Sequence, residues 1–321
     1  MRNIFYASVT VLKLIGIIIT ESVRAISSIA VTKTKDISHE IILITGGGRG
    51  IGRQIALEFA KFRPKCIVIW GRKEDWLKRT VHDIQSLGVK SVYFVCDVSK
   101  RELIYEKAQE VQEMVGDVTL LVNNAGILSG KPIEFLLPED MKETLKVNTL
   151  AQIWTIKAFL PAMLEKGKGH IVCMSSLLGL LGLKGVCDYA TSKFATTGLM
   201  ECLMQELEDY PNIHTTIIHP YQIDNNMFAG MQVRFPSLFP PLKEEYVTEA
   251  TVQAVLNNRK QITLPVYFYL ILFFRSILPV SCMIPVQHFM GLDKVMDRFD
   301  WQKRGPDEMT SADTCGPSLK T

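Results

Sequence analysis

The chain has no run of basic residues and no block of like charge. Its 36 Lys and Arg nearly balance 33 Asp and Glu, leaving a net charge of +3. That balance argues against a nucleic-acid surface. No CxxC pair and no His/Cys cluster occurs, so no metal site is expected. Seven cysteines (Cys66, Cys96, Cys173, Cys187, Cys202, Cys282, Cys315) are scattered and odd in number. Most stand within apolar strand or helix patterns, which predicts buried free thiols in a reducing compartment. Residues 40–263 show no internal repeat and no Pro/Ser-rich linker, so this span reads as one domain.

What is present is apolar and alternating. The 321 residues are 47% apolar with a mean hydropathy of +0.15, enough for a sizeable core. Short β-branched runs at 41–45, 66–70, 91–96, 119–123, 170–175 and 213–219 are separated by helical stretches. Strand and helix in alternation predict a parallel sheet covered on both faces. Right-handed crossovers then give a doubly wound α/β fold of the Rossmann type.

The first strand runs into Thr45-Gly46-x-x-x-Gly50-Ile51-Gly52, with a helix predicted over Arg53–Phe62. Glycines here let the backbone turn tightly and approach a pyrophosphate at a helix N-terminus. The spacing differs from the standard G-x-G-x-x-G. The second strand ends Trp70-Gly71-Arg72-Lys73. An acidic residue there would bond a ribose 2′-hydroxyl, whereas an arginine accommodates a 2′-phosphate. Position 71 is not acidic, Arg72 follows, and Arg49 adds a cation within the loop. NADP(H) is therefore expected in preference to NAD(H), which stays possible. The alternative is that Arg72 and Lys73 are solvated helix-start charges.

Tyr189 and Lys193 stand four residues apart, on one face of a predicted helix. Ser176 precedes the tyrosine by thirteen residues, across a glycine-rich turn. Such a set can move a proton on or off a carbinol oxygen. A free tyrosine titrates near ~10, but an adjacent ammonium, together with the positive nicotinamide of an oxidised cofactor, favours the phenolate. A hydroxyl aimed at the substrate oxygen stabilises charge developing there. The plainer alternatives are that Ser175 or Ser176 caps the following turn and that Asn148 is a buried helix polar residue.

In order, the glycine turn, Asp97-Val98, Asn123-Asn124-Ala125-Gly126, Asn148, Ser176 and Tyr189-x-x-x-Lys193 resemble the short-chain dehydrogenase/reductase family over residues 40–263. The resemblance implies that Asp97 contacts the adenine, that Val98 beside it binds cofactor, and that Asn123-Asn124-Ala125-Gly126 shapes the floor of the cofactor cleft. It implies Tyr189 as general acid/base, Lys193 as its ribose-binding partner, Ser176 as substrate-oxygen donor and Asn148 as holder of a water-linked proton relay. It also implies a homodimer and hydride exchange with a nicotinamide. Two departures stand out. Pro220-Tyr221 replaces the usual Pro-Gly, and Asn225 stands where a threonine normally touches the nicotinamide carboxamide.

Within the family the chain looks most like the membrane-associated retinol and 17-beta-hydroxysteroid dehydrogenases. The likeness lies in the apolar N-terminus, Val233-Arg-Phe-Pro, Leu238-Phe-Pro-Pro-Leu242 and the apolar C-terminal segment. It implies a lipidic alcohol or carbonyl substrate. Rival readings are a 3-keto sphingoid base reductase and a lipid-droplet or membrane scaffold with a degenerate dehydrogenase fold. Residues 222–245, rich in Met, Phe and Pro, are expected to form an apolar lid; the plainer alternative is a structural loop.

Four regions are expected. Residues 1–35 form a membrane-associating segment, 36–263 the dinucleotide-binding domain, 264–301 an apolar extension and 302–321 a polar tail. Residues 3–20 contain one charge, Lys13, near the lower length limit for a span. An anchor or interfacial helix is the leading reading, against a signal peptide cleaved near Ser28-Ile-Ala30 or a buried helix. Residues 262–286 carry one charge, Arg275, and are interrupted by Pro265, Pro279 and Pro285. They suit either a buried helix or subunit interface, or a second membrane-contacting surface. The implied location is the endoplasmic reticulum membrane or a lipid droplet, with the domain facing the cytosol.

Overall fold

The computed structural model describes residues 34–299 together with Gly16 and Thr20. The chain divides into two compact units, Met1–Lys35 and Asp36–Thr321. In the first, Gly16 and Thr20 are helical, and the Thr20 hydroxyl donates to the Gly16 carbonyl at 2.8 Å. The expected anchor otherwise lies outside the described residues, as does the polar tail over 302–321. Among the described residues, no helix is long and apolar enough to cross a membrane.

The second unit is built on a seven-stranded sheet in the order β3-β2-β1-β4-β5-β6-β7. The strands are β1 (Ile41–Thr45), β2 (Cys66–Gly71), β3 (Ser91–Val95), β4 (Leu120–Asn123), β5 (Gly169–Met174), β6 (Ile213–Pro220) and β7 (Gln261–Leu264). Every neighbouring pair is parallel. β1 and β4 are buried at every position. Their unbroken apolar runs fit strands covered on both faces. The seventh strand was not expected. It is four residues long with an exposed first residue, too short for a periodicity signal.

Seven helices connect or flank these strands: α1 (Gly50–Ala60), α2 (Glu74–Ser86), α3 (Arg101–Met114), α4 (Pro138–Leu145), α5 (Ala151–Lys166), α6 (Cys187–Glu206) and α7 (Glu244–Leu256). They supply two apolar clusters, one on each side of the sheet. Ile42, Ile44, Ile67 and Ile69 face one, while Leu43, Val68 and Trp70 face the other. That division follows from the two-residue period of a strand. α1 begins three residues earlier than predicted, at Gly50, whose φ of +50° marks the turn that leads into the helix.

The apolar C-terminal segment forms α8 (Phe268–Ile277) and α9 (Val280–Met290). Pro279 separates them as expected, but Pro285 lies inside α9 and does not end it. In α8 only Phe268 is buried. Leu270, Phe273, Phe274, Ile277, Ile284 and Phe289 are exposed, so the buried-helix alternative does not describe this segment. The cysteines also divide. Cys66, Cys96 and Cys173 are buried free thiols, whereas Cys187, Cys202 and Cys282 are exposed, since they fall on the outer sides of α6 and α9.

Candidate active site

The carboxyl ends of β1, β4, β5 and β6 open on one cavity of about 570 Å³. The strand order reverses between β1 and β4, the usual ligand crevice of an open α/β sheet. Gly46, Arg49, Gly50, Ile51 and Gly52 form one wall, with Arg72, Asp97 and Val98 beside them. Asn124, Ala125, Gly126, Ser176, Tyr189, Lys193, Pro220 and Asn225 complete most of the rest. The fold thus brings together all but two of the residues picked from the sequence.

The two exceptions are Thr45 and Asn148, which stand behind the wall. The Thr45 hydroxyl accepts the N–H groups of Asn124 and Ala125 at 3.0 and 3.1 Å. Asn124 returns a bond from Nδ2 to the Thr45 carbonyl at 3.0 Å. Thr45 therefore ties β1 to the loop after β4 rather than touching a cofactor. Asn148 is fully buried in a π-helical turn, Lys146–Leu150. Its Oδ1 accepts from Ile127 N–H at 2.8 Å, and its Nδ2 donates to Ile127 O and Ser192 Oγ at 2.9 and 3.0 Å. Its carbonyl accepts from Gln152 and Thr196. With its side-chain amide and carbonyl bonded to protein, Asn148 anchors the cleft floor.

The glycine turn is shaped for close approach. A Cβ on Gly52 would lie 2.3 Å from the Gly46 carbonyl oxygen and 2.4 Å from Asn124 Nδ2. Gly46 sits at φ +68°, which L side chains rarely adopt. A Cβ on Gly126 would point toward Asn148 Oδ1 and Lys193 Nζ, at 3.4 and 3.7 Å. Glycine at 46 and 52 thus lets the turn pack against the loop after β4, and the turn lines the cavity at the N-terminus of α1, where a pyrophosphate is favoured. Arg49 stands at that helix start with its guanidinium 4.8 Å from the Trp76 ring centroid. At the end of β2, a Cβ on Gly71 would press Leu77 Cδ2 at 3.1 Å, so a longer acidic side chain would have to displace Leu77.

Tyr189 and Lys193 lie one turn apart on α6, both buried. Lys193 Nζ donates to the Met174 carbonyl at 2.8 Å and lies 5.5 Å from the Tyr189 ring centroid. Ser176 Oγ accepts from Leu178 N–H at 3.1 Å, so it caps a short turn while lining the cavity. The imidazole of His219 meets the Ser176 carbonyl at 3.1 Å.

A family model described as short chain dehydrogenase matches residues 40–233. The chain belongs to the short-chain dehydrogenase family. Human "Short-chain dehydrogenase/reductase 3" is 44% identical over 275 residues, 86% of this chain and 91% of that protein. Human "Epidermal retinol dehydrogenase 2" is 38% identical over 84% of this chain and 88% of its own length. Among solved structures, an alcohol dehydrogenase from Thermococcus sibiricus complexed with 5-hydroxy-NADP is similar at 29% identity and a TM-score of 0.63, covering 70% of this chain and 96% of that one. A short-chain dehydrogenase/reductase from Burkholderia phymatum in complex with NAD, at 23% identity and TM-score 0.68 over 75% of this chain and 94% of that one, shares the fold.

As a member of the short-chain dehydrogenase family, the protein is a nicotinamide-dependent oxidoreductase. In this short-chain dehydrogenase the electrostatics of the Tyr/Lys pair differ from the simple expectation. Burial pushes the Tyr189 phenol up to about 12, although the Ser176 hydroxyl works against that. Burial also lowers Lys193 to about 8. Desolvation of the phenolate outweighs the opposing Ser176 hydroxyl, so burial favours the protonated phenol.

Trp76, Phe228 and Glu244 are among the wall residues that escaped the sequence reading. Trp76 stacks on Arg49. Phe228 meets Tyr189 edge-on, with centroids 6.5 Å apart. Glu244 faces the glycine turn from α7. The richness of 222–245 in Met and Phe hinted at Phe228; nothing local marks Trp76 or Glu244.

Proposed function

We propose that this short-chain dehydrogenase interconverts a lipidic alcohol and its carbonyl, with NADP(H) preferred over NAD(H). The observation that carries the reading is the apolar wall against the proton donor. Tyr221, Ile223, Met227 and Phe228 line the cavity, and Phe228 packs on the Tyr189 ring. Such a wall favours an apolar substrate and excludes water from the reacting oxygen. Relatives named retinol dehydrogenases support a lipidic alcohol.

When bound, the dinucleotide donates or accepts hydride. The glycine turn would hold its phosphates, and Lys193 its ribose. Arg72, exposed on the cavity rim, and Arg49 would favour a 2′-phosphate. Ser176 would hydrogen-bond the substrate oxygen. Tyr189, kept protonated by burial, would give that oxygen its proton in reduction and take it back in oxidation.

The exposed apolar side chains of α8 and α9 support contact with a lipid surface such as the endoplasmic reticulum membrane or a lipid droplet. The test is turnover by the membrane-bound full chain, with NADPH and NADH, over retinoids, steroids, long-chain ketones and a 3-keto sphingoid base. The expected result is reduction of at least one lipidic carbonyl, faster with NADPH. No turnover across the panel contradicts the lipid reading, and faster NADH reactions contradict the cofactor preference.

A further inference from the structure

Beside the glycine turn stands a carboxylate outside every motif. Glu244, the first residue of α7, lines the cavity. Its Oε1 accepts a hydrogen bond from Asn225 Nδ2 at 3.1 Å. A Cβ placed on Gly50 would lie 3.7 Å from that same oxygen, so the carboxylate stands over the anion-binding turn. The first turn of α1 contains no acidic residue of its own. Glu244 therefore supplies negative charge from the start of α7, beside a helix start whose N–H groups favour an anion.

This contact also accounts for Asn225. Its Oδ1 accepts Met227 N–H at 3.1 Å, starting the short turn Asn226–Phe228, while Nδ2 is held by Glu244. Both ends of the amide are engaged by protein. Asn225 therefore differs from a threonine in more than shape: it fastens a carboxylate at the cleft rim.

We propose that Glu244 sets the affinity for the dinucleotide by opposing the phosphates that the glycine turn receives. Two anions cannot share that turn without electrostatic cost. Phosphate binding turns the carboxylate away and releases Asn225 Nδ2. The inference rests on the nicotinamide cofactor and is independent of which alcohol is oxidised, so it stands or falls apart from the lipid reading.

The test is fluorescence titration of the full chain with NADPH and NADH, without substrate. Glu244→Gln keeps an acceptor for Asn225 and removes the charge. It is expected to tighten both cofactors about three- to tenfold at low ionic strength, with the gain shrinking as salt rises. Glu244→Ala removes charge and hydrogen bond together and is expected to tighten binding as well. Glu245→Gln deletes the neighbouring charge of the same helix turn, on an exposed residue outside the cavity wall, and is expected to change nothing. Thermal melts establish that each variant is folded. Unchanged or weaker binding in both Glu244 variants overturns the proposal. Equal tightening by Glu245→Gln also overturns it, since the effect would then belong to net charge.

Discussion

Two regions of this molecule are equally apolar and end in opposite environments. In β1 and β2, Ile42, Leu43, Ile67 and Val68 are fully buried beneath helices on both faces of the sheet. In α8 and α9, Leu270, Phe273, Ile277 and Phe289 are each 60% exposed or more. Composition alone does not separate them. What separates them is whether the fold supplies a second layer. The sheet has one on each side; the outer faces of α8 and α9 have none among the described residues. Apolar side chains that the fold leaves uncovered point outward to an apolar partner, and a lipid surface is the one proposed.

The comparison breaks most sharply under paired truncation. Leu43→Ala is expected to cost about 2–5 kcal/mol of stability, because a buried side chain leaves a cavity. Phe273→Ala removes more carbon yet should shift stability by only about 0.5 kcal/mol or less, as an exposed site does. Thermal or denaturant melts of the two variants check this, and flotation with phospholipid vesicles should show weakened association for Phe273→Ala alone. Equal destabilisation would mean that the helices are core after all.

Burial of charge sharpens the contrast next. Lys193 titrates near 8 when folded against 10.5 ordinarily. Between those values the unfolded chain binds the extra proton, so stability should rise with pH across that window. Tyr189, raised from 10 to about 12, keeps its proton in the folded state and makes stability fall between those values. A melt series over pH 7–11 should show the rise, and Lys193→Met should flatten it. A flat wild-type profile between 8 and 10 would show that Lys193 is solvated.

A smaller effect belongs to the exposed rim of the same cavity. Arg72→Asp should weaken NADPH about tenfold more than NADH, the loss of a charge-assisted phosphate contact. Equal losses in a binding titration would show that Arg72 does not read the 2′-phosphate.

Much of this architecture was legible in the residues. Six of the strands follow from β-branched and apolar runs such as Ile41–Ile44 and Ile67–Trp70, the residue types that buried strands need. β7 was not, since four residues ending the alternation carry too little pattern. The cavity wall was legible where a backbone needs glycine or where chemistry needs a fixed spacing, as at Gly46–Gly52 and Tyr189–Lys193. The protein partners of Thr45 and Asn148 were not legible. Their hydroxyl and amide serve Asn124, Ala125, Ile127 and Ser192, partners that only the folded chain brings near. Glu244 faces Gly50 from 194 residues away, so no local pattern could join them. Pro285 shows the limit of a breaker rule within an exposed helix.

The central claim is that the buried phenol of Tyr189 delivers the proton in an alcohol–carbonyl exchange. It is tested most directly by the turnover rate of Tyr189→Phe on all-trans-retinal with NADPH, in membranes, beside the wild type. The ring and its contact with Phe228 are retained while the hydroxyl is lost. The account predicts a fall of about 10²–10⁴-fold with NADPH affinity unchanged. Turnover within twofold of the wild type would contradict it.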